Sequence, residues 1–153
     1  MDNPIDHFAW ITDAINSQLN KAISGIPIAW PNLTYEPTVG EAWCKAMVVP
    51  TSEYGVTCGD TGENNITGML QVQINTAINT GITESNRIKA LIANSFRLGL
   101  HLPAPEDCHL RITGQDYSSG GQTSLNDFTK GGTENDWSVD FITIYWSARK
   151  PRN

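Results

Sequence analysis

Ile28-Ala-Trp-Pro-Asn32 forms an aromatic–proline corner shortly before Gly40-Glu-Ala-Trp-Cys-Lys-Ala-Met-Val-Val-Pro50. Steric clash keeps the residue before a proline out of the helical region, so the corner leads into the next segment in an extended conformation. We therefore predict a strand over residues 42–49. Farther along, Thr67-Gly-Met-Leu-Gln-Val-Gln-Ile74 alternates apolar and polar residues. This alternation predicts a second strand, over residues 66–75, with one buried and one polar face.

Two amphipathic helices are predicted on either side of these strands. Residues 4–24 carry apolar side chains at three- and four-residue steps, which is the spacing of one helical stripe. The stripe consists of Ile5, Phe8, Ile11, Ile15, Leu19 and Ala22. Thr83 is a favoured N-cap residue and Gly99 is typical of the position just after a helix, so we predict the second helix over residues 83–98.

The remaining third of the chain contains two strands separated by a long polar segment. The strands are predicted over residues 107–113 and 137–148, and residues 115–136 between them are polar and rich in glycine. A loop of this length inside a compact domain is usually functional or disordered. The last strand is apolar on both faces, because Val139, Phe141 and Tyr145 alternate with Ile142, Ile144 and Trp146. Such a strand is either covered on both sides or faces a partner chain.

These elements predict one α+β domain over residues 1–153. Its expected core is a mostly antiparallel four-stranded sheet packed by two helices, in the order α-β-β-α-β-β, with the long polar loop before the last strand. A chain of 153 residues can bury about two thirds of the surface that its unfolded form exposes.

The composition argues against several functions. A net charge of -6 and a pI near 4.9 disfavour a nucleic-acid-binding protein, which would show a basic face. No apolar run is long enough to span a membrane, and the first residues lack the pattern of a signal peptide. The three cysteines are sparse and show no metal-ligand spacing, so we expect reduced thiols in a protein made in the cytoplasm.

The sequence shows no pattern typical of a catalytic or metal site. Adjacent strand residues point to opposite faces, so Cys108 and His109 cannot pair as nucleophile and base, although a pair across the fold, such as Cys44 with His109, stays open. The glycine-rich segments lack a lysine that opens a helix, and the acidic residues lack the regular spacing of a calcium loop. We predict no enzymatic activity, no cofactor and no metal.

The five tryptophans allow one alternative, a small-ligand or carbohydrate-binding module. Four of them, Trp10, Trp43, Trp137 and Trp146, lie on or beside apolar stripes. Packing in a core or an interface is the usual role of a tryptophan in that position.

Across about residues 5–100 the chain resembles the phage tail-terminator-like family, small tail-completion and tail-to-head joining proteins of long-tailed phages. The residues that carry the resemblance are Trp30, Pro31, Asn32, Glu41, Trp43, Gly68, Leu70 and Val72. The resemblance implies a structural virion protein at the tail–head junction. Such a protein caps the tail tube as a ring, stops tube polymerisation and provides the head-joining surface; another neck or minor tail component is the nearest alternative.

The resemblance also implies partners and contact residues. The partners are further copies of the chain in a homohexamer, the major tail-tube protein, and a head-completion or neck protein, while DNA passes through the lumen without specific binding. For the subunit or tube interface we expect Trp30, Trp43, Ile142, Ile144 and Trp146. For an assembly loop that orders on the tube or neck we expect Tyr117, Leu125, Phe128 and Lys130.

Overall fold

The computed structural model describes residues 6–38, 40–59, 62–77, 83–123 and 137–152. The elements in chain order are α1 (His7–Ala22), β1 (Ile28–Ala29), β2 (Trp43–Gly55), β3 (Glu63–Ala77), α2 (Thr83–Ser95), β4 (His101–Leu102), β5 (His109–Thr123) and β6 (Trp137–Pro151).

The strands form a single six-stranded sheet in the order β1-β2-β3-β6-β5-β4. All neighbouring strands are antiparallel except β1 and β2, which are parallel. The sheet is a mixed half-barrel and the fold is mostly β. The prediction of a four-stranded sheet in the order α-β-β-α-β-β was therefore wrong. It missed β1 and β4, which are two residues long and too short to show any periodicity.

The strands are also longer than their apolar patterns indicated. β2 and β3 extend through residues expected in a loop, and they pair from Trp43 with Asn75 to Gly55 with Asn64. β5 includes residues 115–123, the first part of the predicted polar loop, and pairs with β6 along this length. Backbone hydrogen bonds hold these extensions, so polar side chains do not prevent them. Leu125, Phe128 and Lys130 lie outside the described residues.

Three irregularities interrupt the strand pairing, and all of them involve a strand next to an edge of the sheet. The register of β2 against β3 shifts between Pro50 and Ser52. The register of β5 against β6 shifts between Ile112 and Gly114 and again between Ser119 and Gly121. The central pair, β3 with β6, is regular over its whole length.

Both helices cover one face of the sheet, and the core lies between them and that face. The predicted stripe of α1 is confirmed at Ile11, Ile15 and Leu19, which are fully buried. The predicted buried face of β3 is confirmed as well, at Ile66, Leu70, Val72 and Ile74. Full burial of an aliphatic side chain of this size contributes about 1.5–3 kcal/mol, so these residues account for much of the helix–sheet adhesion.

Polar contacts fix the helix ends. Asp6 caps α1 by accepting a hydrogen bond from the Ala9 amide at 2.9 Å, so the helix begins at His7 and not at residue 4. The side chain of Gln115 donates to the carbonyls of Ala93 and Phe96 at 3.0 and 2.8 Å. The Ala93 carbonyl belongs to the last turn of α2 and Phe96 directly follows the helix, where carbonyls have no intrahelical donor left.

The absence of a side chain at Gly68 leaves room for the indole of Trp146, the bulkiest side chain of the core. It lies directly opposite Trp146 on the adjacent strand, and both residues face the helices. A Cβ atom at position 68 would lie 2.5 Å from the carbonyl oxygen of Val49 and still closer to Cζ2 of Trp146. Any side chain larger than hydrogen therefore collides with both the indole and the backbone of β2.

Candidate interaction surface

The other face of the sheet is not covered by the helices, and we call it the open face. Its middle consists of three cross-strand rows, in which directly opposed residues share a face. The rows are Lys45, Gln73, Phe141 and Ser118; Met47, Gln71, Thr143 and Asp116; and Val49, Met69, Tyr145 and Gly114. Most of these side chains are half-buried or exposed, and Met47 is 46% exposed.

A shallow concavity of about 460 Å³ occupies the middle of the open face. Met47, Phe141 and Pro31 supply its apolar lining, and Lys45, Gln71, Gln73, Ser118 and Thr143 supply its polar lining. At one side, the Tyr145 hydroxyl donates to Asp116 at 2.6 Å, and this hydrogen bond raises the pKa of Tyr145. A shallow, largely apolar surface with polar residues among its lining suits contact with a protein.

One end of the open face, which we call the aromatic end, consists of Tyr35, Trp43 and Trp137. Tyr35 packs on Trp43 with ring centroids 5.2 Å apart, and Trp43 meets Trp137 edge-to-face at 6.0 Å. Burial raises the pKa of Tyr35, and the nearby carboxylate of Glu41 raises it further. Within the described chain the buried indole nitrogen of Trp43 has no hydrogen-bond partner. These rings are engaged with each other, so this end is not arranged as a platform for a sugar.

The opposite end, which we call the basic end, gathers His101, His109, Arg111 and Arg149. His101 lies opposite Arg111, and His109 lies opposite Arg149, so all four residues lie on the open face. They surround a concavity of about 220 Å³ whose remaining lining is Asn65 and Ser147. The Ser147 hydroxyl donates to the Asn65 side chain at 2.8 Å, which fixes the polar floor of this concavity.

The charge of the basic end is only partly compensated. Nε of Arg149 lies 3.7 Å from a carboxylate oxygen of Glu63, and both side chains are close to half exposed, so this pair contributes little. Among the described residues, no hydrogen bond or ion pair involves the side chain of His101, His109 or Arg111. Sequence reasoning missed this cluster because its members come from three strands. In the sequence, this cluster shows only in the spacing of His109 and Arg111, which are two residues apart and therefore lie on the same face of one strand.

A partly buried polar group on the helix-covered face contains Ser85, Lys89 and Asp140, residue types that also occur in catalytic sites. The Ser85 hydroxyl donates to a carboxylate oxygen of Asp140, and Nζ of Lys89 lies 3.6 Å from the same oxygen. These residues line neither the concavity in the middle of the open face nor the one at the basic end. The group therefore joins α2 to β6.

The predicted contact residues separate into two groups. Trp30 and Trp43 are both half-buried: Trp30 packs against the hydrophobic core, whereas Trp43 belongs to the aromatic end. Ile142, Ile144 and Trp146 are fully buried in the core. They alternate with Phe141 and Tyr145, and the sequence could not indicate which of the two sets faces the helices. These three side chains are already covered within one subunit, so the set on the open face is the one that a second subunit can reach, and the subunit contact itself stays a prediction.

Tyr117 lies within β5 and not in a loop, with 54% of its surface exposed. Its hydroxyl donates to the side-chain oxygen of Gln115, the residue that caps α2. The other three predicted loop residues, Leu125, Phe128 and Lys130, lie outside the described residues.

The structure separates Cys44 from His109, the nucleophile–base pair that the sequence left open. Cys44 lies on the helix-covered face, whereas His109 lies on the open face, so the two cannot pair. Burial raises the pKa of Cys44 to about 12, which keeps its thiol protonated. Burial and the Asp107 carboxylate also raise the pKa of Cys108.

Among the described residues, no group of three or more His, Cys, Asp and Glu side chains could hold a metal ion. No helix in the described ranges is long and apolar enough to cross a membrane.

Comparison with known proteins identifies the architecture. The family described as phage tail terminator protein matches residues 10–146 of the chain. A solved structure superposes with a TM-score of 0.65 at 19% sequence identity, covering 94% of this chain and 96% of the other, and this likeness supports the fold. The search of curated proteins found no match.

Proposed function

The chain belongs to the phage tail terminator family, and we propose that it closes the end of a tail tube as a hexameric ring, stops tube polymerisation and provides the surface to which the head joins. Membership makes it a structural component of a phage tail. The ring, the arrest of polymerisation and the joining of the head are the proposal.

The observation that carries the proposal is the uncovered open face. A six-stranded sheet buries one face under its own helices and leaves the other, with Met47, Phe141 and Tyr145, open. Exposed apolar surface rimmed by polar residues is typical of a protein–protein contact. Association with other proteins is the function that this surface supports best.

Proposed partners follow from the same role: further copies of the chain, the major tail-tube protein, and a head-completion or neck protein. A terminator must bind a tube end more tightly than a free tube subunit, because otherwise it would be sequestered before assembly finished. A ring meeting a ring satisfies this condition, since linked contacts gain avidity even where each contact is modest.

The negative charge of the subunit affects both the assembly of the proposed ring and the passage of DNA through its lumen. Each subunit carries a formal charge of -6, so the subunits of a ring repel one another. Salt at about 0.1 M screens such repulsion beyond about 10 Å, and we expect assembly to prefer moderate ionic strength. A negative lumen would let DNA pass without adhering, because phosphates and carboxylates repel each other.

Deletion of the gene from the phage tests the proposal. We expect tails of uncontrolled length that fail to join heads, while heads and tube subunits are made normally, and electron microscopy of lysates measures this directly. Normal-length tails already joined to heads would contradict the proposal. Normal-length tails without heads would instead assign a joining role, that of another neck or minor tail component.

A further inference from the structure

The basic end has the properties of a receptor for carboxylates. It combines two arginines and two histidines around a concavity of about 220 Å³ with a polar floor. Guanidinium groups bind carboxylates through two parallel hydrogen bonds, so each arginine can hold one acidic side chain with defined geometry. The concavity is large enough for one or two carboxylates. A net charge of -6 for the chain disfavours a nucleic acid as the occupant.

A complementary surface lies at the opposite edge of the same sheet. The segment that links β1 to β2 is exposed over most of its described length and carries Glu36, Glu41 and Leu33, the last with 67% of its surface exposed. In the described chain neither glutamate side chain takes part in a hydrogen bond or ion pair. The segment follows β1 at one edge of the sheet, whereas the basic end extends from β6 across β5 to β4 at the other edge.

We propose that the basic end of one copy receives Glu36 and Glu41 of the next copy, so that subunits join head-to-tail through opposite edges of their sheets. Two different surfaces in contact make a heterologous interface, which closes into a ring when the rotation per subunit fits. Charge complementarity of this kind fixes the register of a contact and suppresses wrong pairings. This inference deepens the proposed function and rests on the ring that it assumes.

Charge reversal at each edge tests the contact. The first variant, Arg111→Glu with Arg149→Glu, makes the basic end acidic; the second, Glu36→Lys with Glu41→Lys, makes the acidic segment basic. We expect each variant alone to lose self-association by native mass spectrometry at tens of micromolar. An equimolar mixture should recover it, with the two variants alternating around the ring, because each then presents only the charge that its neighbours lack.

The control variants change the same charges elsewhere. Lys21→Glu and Asp13→Lys lie on exposed positions of α1, on the far side of the sheet, and should assemble like the wild type. Far-UV circular dichroism and melting of each variant exclude misfolding as the cause of lost assembly. If Arg149→Glu unfolds the chain beside Glu63, Arg111→Gln with Arg149→Gln tests the same surface and should reduce association at least tenfold.

Several outcomes would overturn the contact. Variants that assemble alone, or a mixture that stays monomeric while the controls assemble, would exclude pairing of these two edges but leave a ring possible through other surfaces. Binding of short duplex DNA that the arginine variant loses would assign the basic end to phosphates instead. A wild-type chain that stays monomeric at tens of micromolar would refute this contact in solution, and the deletion phage would still decide tail termination separately.

Discussion

Replacement of Gly68 by alanine should be among the most damaging small substitutions in this chain. The new Cβ would lie 2.5 Å from the Val49 carbonyl oxygen and 2.8 Å from Cε2 of Trp146, distances that real Cβ atoms essentially never show. Overpacking a core costs about 1–3 kcal/mol. We expect a loss of about 3 kcal/mol, at the upper end of that range, because one of the two colliding groups is backbone and cannot rotate away.

The loss should be measured as the free energy of unfolding in urea, followed by far-UV circular dichroism at low protein concentration so that association does not contribute. In a chain of 153 residues, about 3 kcal/mol corresponds to a melting temperature lower by about 6–12 °C. Gly114→Ala is the matched control. It lies in β5, and its Cβ would approach only Tyr145, at an ordinary 3.5 Å, so its stability should stay within about 0.5 kcal/mol of wild type.

A double substitution separates the two collisions. Gly68→Ala combined with Trp146→Phe removes the indole atoms that the new methyl group meets but leaves the Val49 carbonyl in place. The coupling energy between the two positions should be at least about 1 kcal/mol in the direction of relief. If Gly68→Ala instead unfolds at the same urea midpoint as Gly114→Ala, the close approach of Trp146 to the backbone does not exist and the reasoning fails.

Three further outcomes test the core and its polar anchors. Ellman's reagent at pH 8 should label exposed Cys58 rapidly and Cys44 only after unfolding, and rapid labelling of both thiols would argue against the burial of Cys44. The free energy of unfolding should also fall as the pH rises above about 9, because the folded chain retains on Cys44 a proton that the unfolded chain releases. Gln115→Leu should cost about 1–2 kcal/mol in urea unfolding, since two terminal carbonyls of α2 lose their donor, and an unchanged midpoint would show that water replaces it. Asp140→Ala should cost about 2 kcal/mol because Lys89 loses its partner, and a loss that 1 M salt does not reduce would contradict an ionic contribution.

The sequence predicted those parts of the fold in which one face of an element is buried over several turns or alternations. The alternation from Ile66 to Ile74 and the stripe of Ile11, Ile15 and Leu19 are confirmed as core. Each of these segments buries its apolar side against the same layer, so local periodicity and tertiary burial carry the same information.

The strands that the sequence did not predict form through contacts between segments that are far apart in the chain. β1 forms only because Ile28 and Ala29 find the edge of β2, and β4 only because His101 and Leu102 find β5. The polar ends of β2 and β5 are strands because their neighbours supply a backbone ladder, and side-chain pattern does not report on this pairing. Helix-like or strand-like periodicity in a single segment therefore undercounts the strands of a sheet of this kind.

Only part of the candidate interaction surface could be predicted from the sequence. The sequence correctly indicated that β6 is apolar on both sides, but only the position of the helices decides which side is the core. Register explains the outcome: Ile144 lies opposite Leu70 on the helix-covered face, whereas Tyr145 lies opposite Met69 on the open one. The basic end needed three strands in register, so no pattern within one segment could have revealed it.

The positions of the three pairing irregularities have a consequence for solubility. β1 and β4 each pair with only two residues of their neighbours, so most of the outward backbone of β2 and β5 lacks a partner strand in the described chain. A long, regular edge of this kind would template aggregation with other sheets. The bulge after Pro50 in β2 and the two shifts in β5 lie on these exposed borders, and bulges bend and twist an edge out of the geometry that a new strand needs. These bulges thereby help to keep the free subunit from seeding a fibril of its own.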